Sequence, residues 1–215
     1  MPLLQHVRTL DAADWLRESL TTFAQSVASF VPGEFEAYAR LYHPWQGGTS
    51  ATPPTWRELA AAAGADPNDP VACESLVWSP QRQFEVDVGS VPRSVIDPLV
   101  EHLRSATATP ERCWFAVWEG FGGSVVPPGL EPKLELPHRS YHVFAGPIEG
   151  ALTSYAAASF VHQSANLWWP ADRAWCVATE VDHAWTYVGA TRSRIRKLLA
   201  DARFEAVETT AMARW

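Results

Sequence analysis

The sequence predicts an α+β fold: an antiparallel sheet of about four to six strands in the C-terminal half, packed against N-terminal helices. Two observations predict it. Before residue 106, apolar side chains recur at three- and four-residue spacing, the period of a helix face. Beyond residue 110 they fall into short runs bounded by Gly, Pro and acidic turns, the pattern of strands. At 215 residues a single domain over 1–215 is expected, with a helical portion over about 1–106 and a sheet-rich portion over about 110–215.

The elements follow in order. Asp11 reads as the N-cap of a helix reaching about Phe30, with Leu16, Leu20, Phe23, Val27 and Phe30 on one face. Pro32 suits the first turn of a second helix, whose inner stripe is Phe35, Tyr38, Ala39 and Tyr42. The Pro- and Gly-rich stretch 43–54 is a loop. Thr55 and Glu58 form a capping box that opens a short helix ended by Gly64. Ser75–Trp78 and Gln83–Val88 read as short strands, and a helix over about Pro92–Ser105 points Val95, Leu99 and Leu103 inward. Pro98 would kink that helix or delay its start. Arg112–Glu119 and Tyr141–Ala145 read as strands, with Gly120–Gly123 as the turn after the first. Ile148–Phe160 suits a helix. Trp175–Val181 and Trp185–Val188 read as a hairpin turning near Asp182–Ala184, followed by a helix over about Arg192–Ala202 and a last strand near Phe204–Glu208.

Composition excludes several classes. With 47% hydrophobic residues the chain has the apolar mass that disorder lacks. No apolar run is long enough to span a bilayer, and residues 1–14 lack the basic-then-apolar order of a signal peptide. Cys73, Cys113 and Cys176 are odd in number and widely spaced, which argues against a disulfide framework or a zinc ribbon and fits a cytoplasmic location. The net charge of -7 disfavours a nucleic-acid partner. The basic cluster Arg192–Lys197 reads as a solvated helix face. Arginine outnumbers lysine 15 to 2, a bias that GC-rich codons explain before function does.

Signatures of phosphate loops, serine hydrolases and zinc proteases are absent, and no cofactor is expected. His138 and His142 share a strand face four residues apart, and Glu180 or Asp182 would supply a third metal ligand; hydrogen-bonded histidines are the plainer reading. The densest polar set is Asp172 and Arg173, then Glu180, Asp182 and His183. Strand alternation places Cys176, Ala178, Glu180 and Asp182 on one face, where two carboxylates could divide acid and base roles or simply pair with arginines.

Eleven tryptophans are several times the usual share. Trp114, Trp118, Trp175 and Trp185 read as core, and Trp15, Trp56 and Trp78 as ordinary packing. Trp45, Trp168 and Trp169 lie next to Pro in loops and are the ones expected at the surface.

The segments Asn166–Asp182, Trp185–Gly189 and Cys113–Gly122 resemble a group of actinobacterial proteins, a likeness that carries no activity with it. The Val31–Tyr38 entry, followed by strands and a final strand, acidic turn, strand and helix, is similar in outline to the SUKH superfamily of immunity and adaptor proteins. The tryptophan-rich strands depart from that pattern. The expected function is therefore non-enzymatic protein binding through an acidic, aromatic-edged surface. Glu119, Asp172, Arg173, Glu180 and Asp182 are the candidate contacts, and Trp168 and Trp169 the apolar anchors. The alternative is a small-molecule-binding protein or hydrolase-type enzyme that uses Glu180, Asp182, His138 and His142 in a cleft.

Overall fold

A computed structural model describes residues 4–23, 26–47, 52–66, 68–80, 83–137 and 139–214. Among these residues nine strands form one antiparallel sheet, more than the sequence predicts. They are β1 (Gln5–His6), β2 (Ala37–Tyr42), β3 (Cys113–Trp118), β4 (Lys133–Leu136), β5 (Arg139–Gly146), β6 (Leu167–Pro170), β7 (Trp175–Ala178), β8 (Trp185–Ala190) and β9 (Ala206–Thr209). The order is β1-β5-β3-β6-β7-β8-β2-β9, and β4 shares the outer edge of β5 with β1. The helices are α1 (Asp14–Ser19), α2 (Trp56–Ala62), α3 (Pro70–Val77), α4 (Arg93–Arg104) and α5 (Arg192–Leu199). The fold is α+β, and among the described residues four of the five helices lie in the first half of the chain.

The halves interlock, because β2 enters the sheet between β8 and β9. This corrects the helix expected over 32–42. All six residues of β2 are buried. A strand covered on both faces loses the alternation that identifies a half-exposed one, so Tyr38, Ala39 and Tyr42 mimic a helical stripe. The first helix is also shorter than expected. A 3₁₀ turn at Asp11–Ala13 leads into α1, which stops before the β-branched pair Thr21–Thr22. Residues 148–160 hold a 3₁₀ turn, Ile148–Leu152, and a β-bridge at Ala156 in place of the expected helix. There Gly150 packs so close to Phe115 that a Cβ would sit 2.7 Å from its ring. Ser75–Trp78 belongs to α3 and its end, not to a strand: Pro70 occupies the first turn and Asp69 accepts from the Val71 N–H at 2.9 Å. The capping box at Thr55 and Glu58 forms as expected.

The sheet has two unlike faces. One carries Tyr38, Tyr42, Tyr141, Trp169, Trp185 and Tyr187 and is covered by the 11–31 segment, α2 and α3. The other carries Leu41, Phe115, Val117, Trp168, Trp175 and Val188 and is covered by α4, α5 and the 148–152 turn. Pro98 lies within α4 and is buried there. Buried indoles need a partner for N–H. Trp56 donates to the His43 carbonyl at 2.7 Å, Trp169 to Ala12 at 3.2 Å, Trp175 to Leu103 at 3.1 Å and Trp185 to the Tyr187 hydroxyl at 2.9 Å.

The expected surface tryptophans are therefore interior. Trp45, Trp168 and Trp169 are 4, 2 and 0% exposed. The adjacent Trp168 and Trp169 point to opposite faces because β6 alternates. Trp78, expected in ordinary packing, is 56% exposed at the end of α3. Trp169→Ala should cost about 3–5 kcal/mol in urea unfolding, and Trp78→Ala should stay within about 0.5 kcal/mol. Comparable losses in the two variants would contradict this division.

Candidate functional site

Glu180 lies two residues past β7, so the alternation that aims Cys176 and Ala178 at the aromatic face carries its carboxylate there too. It is buried and paired with Arg139, the first residue of β5. The same guanidinium lies 3.5 Å from Asp182 and 5.3 Å from the ring centre of Trp118. Burial pushes the Glu180 carboxyl above its ordinary range, and Arg139 opposes that rise. The two carboxylates thus share a cation instead of dividing acid and base roles. The cleft beside them, walled by Phe23, Phe30, Leu136, Tyr141 and Asn166, holds about 20 Å³, room for a water and too little for a substrate.

The other expected contacts are spent locally and lie apart. Asp172, in the β6–β7 turn, accepts from the Thr107 hydroxyl and the Ala108 N–H, each at 2.7 Å. Burial alone would raise its carboxyl, but these bonds outweigh burial and hold it below the usual range. Arg173 adopts a left-handed φ of 54° and stacks over Trp15 at 5.4 Å. Glu119 accepts from Lys133 Nζ at 2.9 Å, which lowers its pKa. Register places Asp172 beside the start of β3 and Glu119 past its end. Asp172 and Arg173 are therefore a strand length away from Glu119, Glu180 and Asp182. With Trp168 and Trp169 sealed inside, these residues do not make one surface.

The carboxylate and histidine cleft does not assemble either. His142 pairs across from Val117 and so faces the α4 side of the sheet, whereas Glu180 faces the aromatic side. His142 Nδ1 meets the Leu130 carbonyl at 3.2 Å. His138 lies outside the described residues. Among the described residues no three His, Cys, Asp or Glu side chains converge as metal ligands.

One arrangement escaped the sequence reading. His43 Nδ1 donates to the Asp87 carbonyl at 2.7 Å, so its Nε2 accepts from the Thr186 hydroxyl at 2.9 Å, and Thr179 lies 2.8 Å further on. Hydroxyl, imidazole and carbonyl stand in the order of nucleophile, base and orienting group. Thr186 and His43 are both fully buried, however, so no substrate reaches them. The chain instead ties β2, β8 and the end of β7 together.

The acidic surface lies elsewhere. Residues 58–87 hold Glu58, Asp66, Asp69, Glu74, Glu85 and Asp87 against one base, Arg82. That stretch carries a net charge of -5, out of -7 for the whole chain. Five of the six acids are exposed and Glu74 is half-buried. Among them α3 presents Val71 and Trp78, both more than half exposed and seven residues apart on one side of the helix. A running charge count would have found this stretch. α3 is held from beneath: Arg40 donates to the Asn68 carbonyl at 2.7 Å, and the Tyr42 hydroxyl meets Cys73 Sγ at 3.5 Å. Compared with known proteins, the chain matches no family model, no curated protein and no solved structure.

The buried histidines give this region a pH response. Burial pushes His43 down to about 4, against the opposing Asp87 carbonyl. Burial, then Arg40 and His43, push His183 down to about 3. Unfolded, both titrate near 6.5. Between about pH 6.5 and 4 the unfolded chain binds protons that the folded chain refuses, so stability falls as pH falls through that window. The loss should approach about 3 kcal/mol for His43 alone, and Glu180, shifted upward, offsets part of it. Urea midpoints measured from pH 7.5 to 4 should drop accordingly; a flat profile would mean that these imidazoles are hydrated.

Proposed function

We propose that the protein is a non-enzymatic protein-binding module of the immunity or adaptor kind, and that its partner presents a basic surface to the α2–α3 face. One observation carries this reading: residues 58–87, with a net charge of -5 in a chain of -7, include the exposed Val71 and Trp78 of a helix fixed to the sheet. Complementary charge raises encounter rates and selects partners, and a central aromatic supplies the anchor that such interfaces use. Because α3 is held in place by its contacts to β2, little ordering cost attends binding. The candidate groups Glu180, Asp172, Glu119 and His43 are committed to internal partners, which favours binding over catalysis.

Fluorescence anisotropy with a labelled cationic peptide of arginine and leucine tests it. Binding should weaken with salt. It should fall about tenfold or more in Trp78→Ala, and also in Asp66→Asn with Glu74→Gln. The control Glu119→Gln should leave it unchanged. Equal loss in the control, or indifference to Trp78, would place the interface elsewhere.

A further inference from the structure

A pair of imidazoles sits where the N-terminal strand meets the outer edge of the sheet. β1 is two residues long and pairs with β5 through Gln5–Ala145 and His6–Phe144. Strand alternation puts His142 on the same face of β5 as Phe144. The His6 ring therefore lies 6.5 Å from that of His142 and meets the Phe144 ring edge-on at 5.5 Å. Both imidazoles are tied to the turn that precedes β4. His142 Nδ1 meets the Leu130 carbonyl at 3.2 Å, and His6 is hydrogen-bonded to the Pro132 carbonyl. His6 Nε2 is buried without a partner, so its bond to Pro132 runs from Nδ1. A nitrogen that bonds a carbonyl carries the proton, so each neutral ring keeps its lone pair on Nε2.

This arrangement suits neutral rings only. The proton that acid adds to His6 goes to Nε2 and becomes a buried N–H with no acceptor, which is costly. His142 also takes its added proton on Nε2, and two imidazolium charges at this distance repel. Three other charges face the pair. Glu131 favours a charged His6, while Glu119, past the end of β3, and Lys133, opposite His142 on β4, flank His142 and pair with each other. Burial, then His142, hold His6 below the ordinary histidine range, against the Pro132 carbonyl and Glu131. The backbone ties of this segment are few. Beyond the two paired residues, the Val7 N–H donates to the Val143 carbonyl at 3.0 Å. Ala12 is the next fixed point, because its carbonyl accepts from the Trp169 indole.

We propose that His6 and His142 form an acid-released latch: neutral, they hold β1 on β5, and protonation frees residues 4–10 while the rest of the sheet stays folded. Release unpairs the outer edge of β5 at Phe144–Ala145 and withdraws Leu4 from the apolar groove it lines with Val126, Phe144 and Tyr155. A freed His6 titrates near 6.5. The latched state is therefore fully favoured above that pH and loses ground as pH falls below it, toward the lower value of the latched ring. The latch is separate from the acidic α3 face and from His43 and His183, which are buried in the core.

Native-state hydrogen exchange of the full chain, read by NMR at the Val7 amide and at amides of β7 from pH 7.5 to 5, tests this. After correction for intrinsic exchange, the Val7 opening constant should be flat above pH 6.5. Below it, the constant should rise by up to about tenfold per pH unit, the limit for uptake of one proton. The β7 amides should open far more rarely at every pH. His6→Phe keeps an aromatic ring against Phe144 and should make Val7 opening independent of pH, with an unchanged circular dichroism spectrum. His142→Phe should reduce the rise. A flat wild-type profile, a slope that persists in His6→Phe or is undiminished in His142→Phe, or a Val7 opening constant equal to that of β7 throughout overturns the latch.

Discussion

Burying a guanidinium costs several kcal/mol unless its charge and its N–H groups find partners. Arg40 is 3% exposed in the middle of β2. It lies 5.0 Å from the ring centre of Tyr42 and 5.6 Å from that of Trp185, is hydrogen-bonded to the Tyr187 hydroxyl, and donates to the Asn68 carbonyl. Those partners come from β2 itself, from β8 and from the turn that leads into α3. Meeting the needs of one side chain therefore sets β2 against β8 and lays α3 over both. It also keeps a second positive charge away: the nearby His183 is neutral, first through burial and then through Arg40. The part of the aromatic face where β2, β8 and α3 meet is thus organised around Arg40.

Outside the core, charge is sorted. The acids of residues 58–87 gather over the aromatic face, where Arg40 lies beneath them, and the 120–130 and 150–171 tracts have none. A long-range field and a neutral apolar face do different work. A field of that kind favours partners of opposite sign; an uncharged apolar stretch supplies no such steering. Other ion pairs, such as Arg203 with Glu101 and Arg93 with Asp97, are exposed pairs that contribute little to stability.

The parts of the fold legible in sequence were those with local causes. The capping box at Thr55, the amphipathic α4, the strand at Cys113–Trp118 and the hairpin of β7 and β8 are written in adjacent residues. What was not legible depended on partners distant in sequence. β2 is a strand because β8 and β9 flank it, and its double burial erased the alternation that would have shown it. β6 is only four residues long and ends in Pro170, which hid Trp168 and Trp169 in an apparent loop. The site suffered in the same way. Glu180 and Asp182 were correctly placed together at a turn, but Arg139, which neutralises them, arrives from another strand. Trp78 reads as ordinary packing from its apolar neighbours in sequence. Only the end of α3, with its inward face taken by Cys73 and Val77, turns it outward.

The pairing of Tyr42 with Trp185 spans about 140 residues of chain. At the usual pace of synthesis, about 5–20 residues per second, β2 waits roughly 7–30 s for its neighbours to emerge. Throughout that interval Ala-Tyr-Ala-Arg-Leu-Tyr is an unpaired, β-prone hexapeptide in a crowded cell. Its one charge interrupts an otherwise apolar run, as gatekeeper residues do in segments that would aggregate. The arginine that is costly to enclose in the finished molecule is the residue that keeps the segment in solution until enclosure is possible.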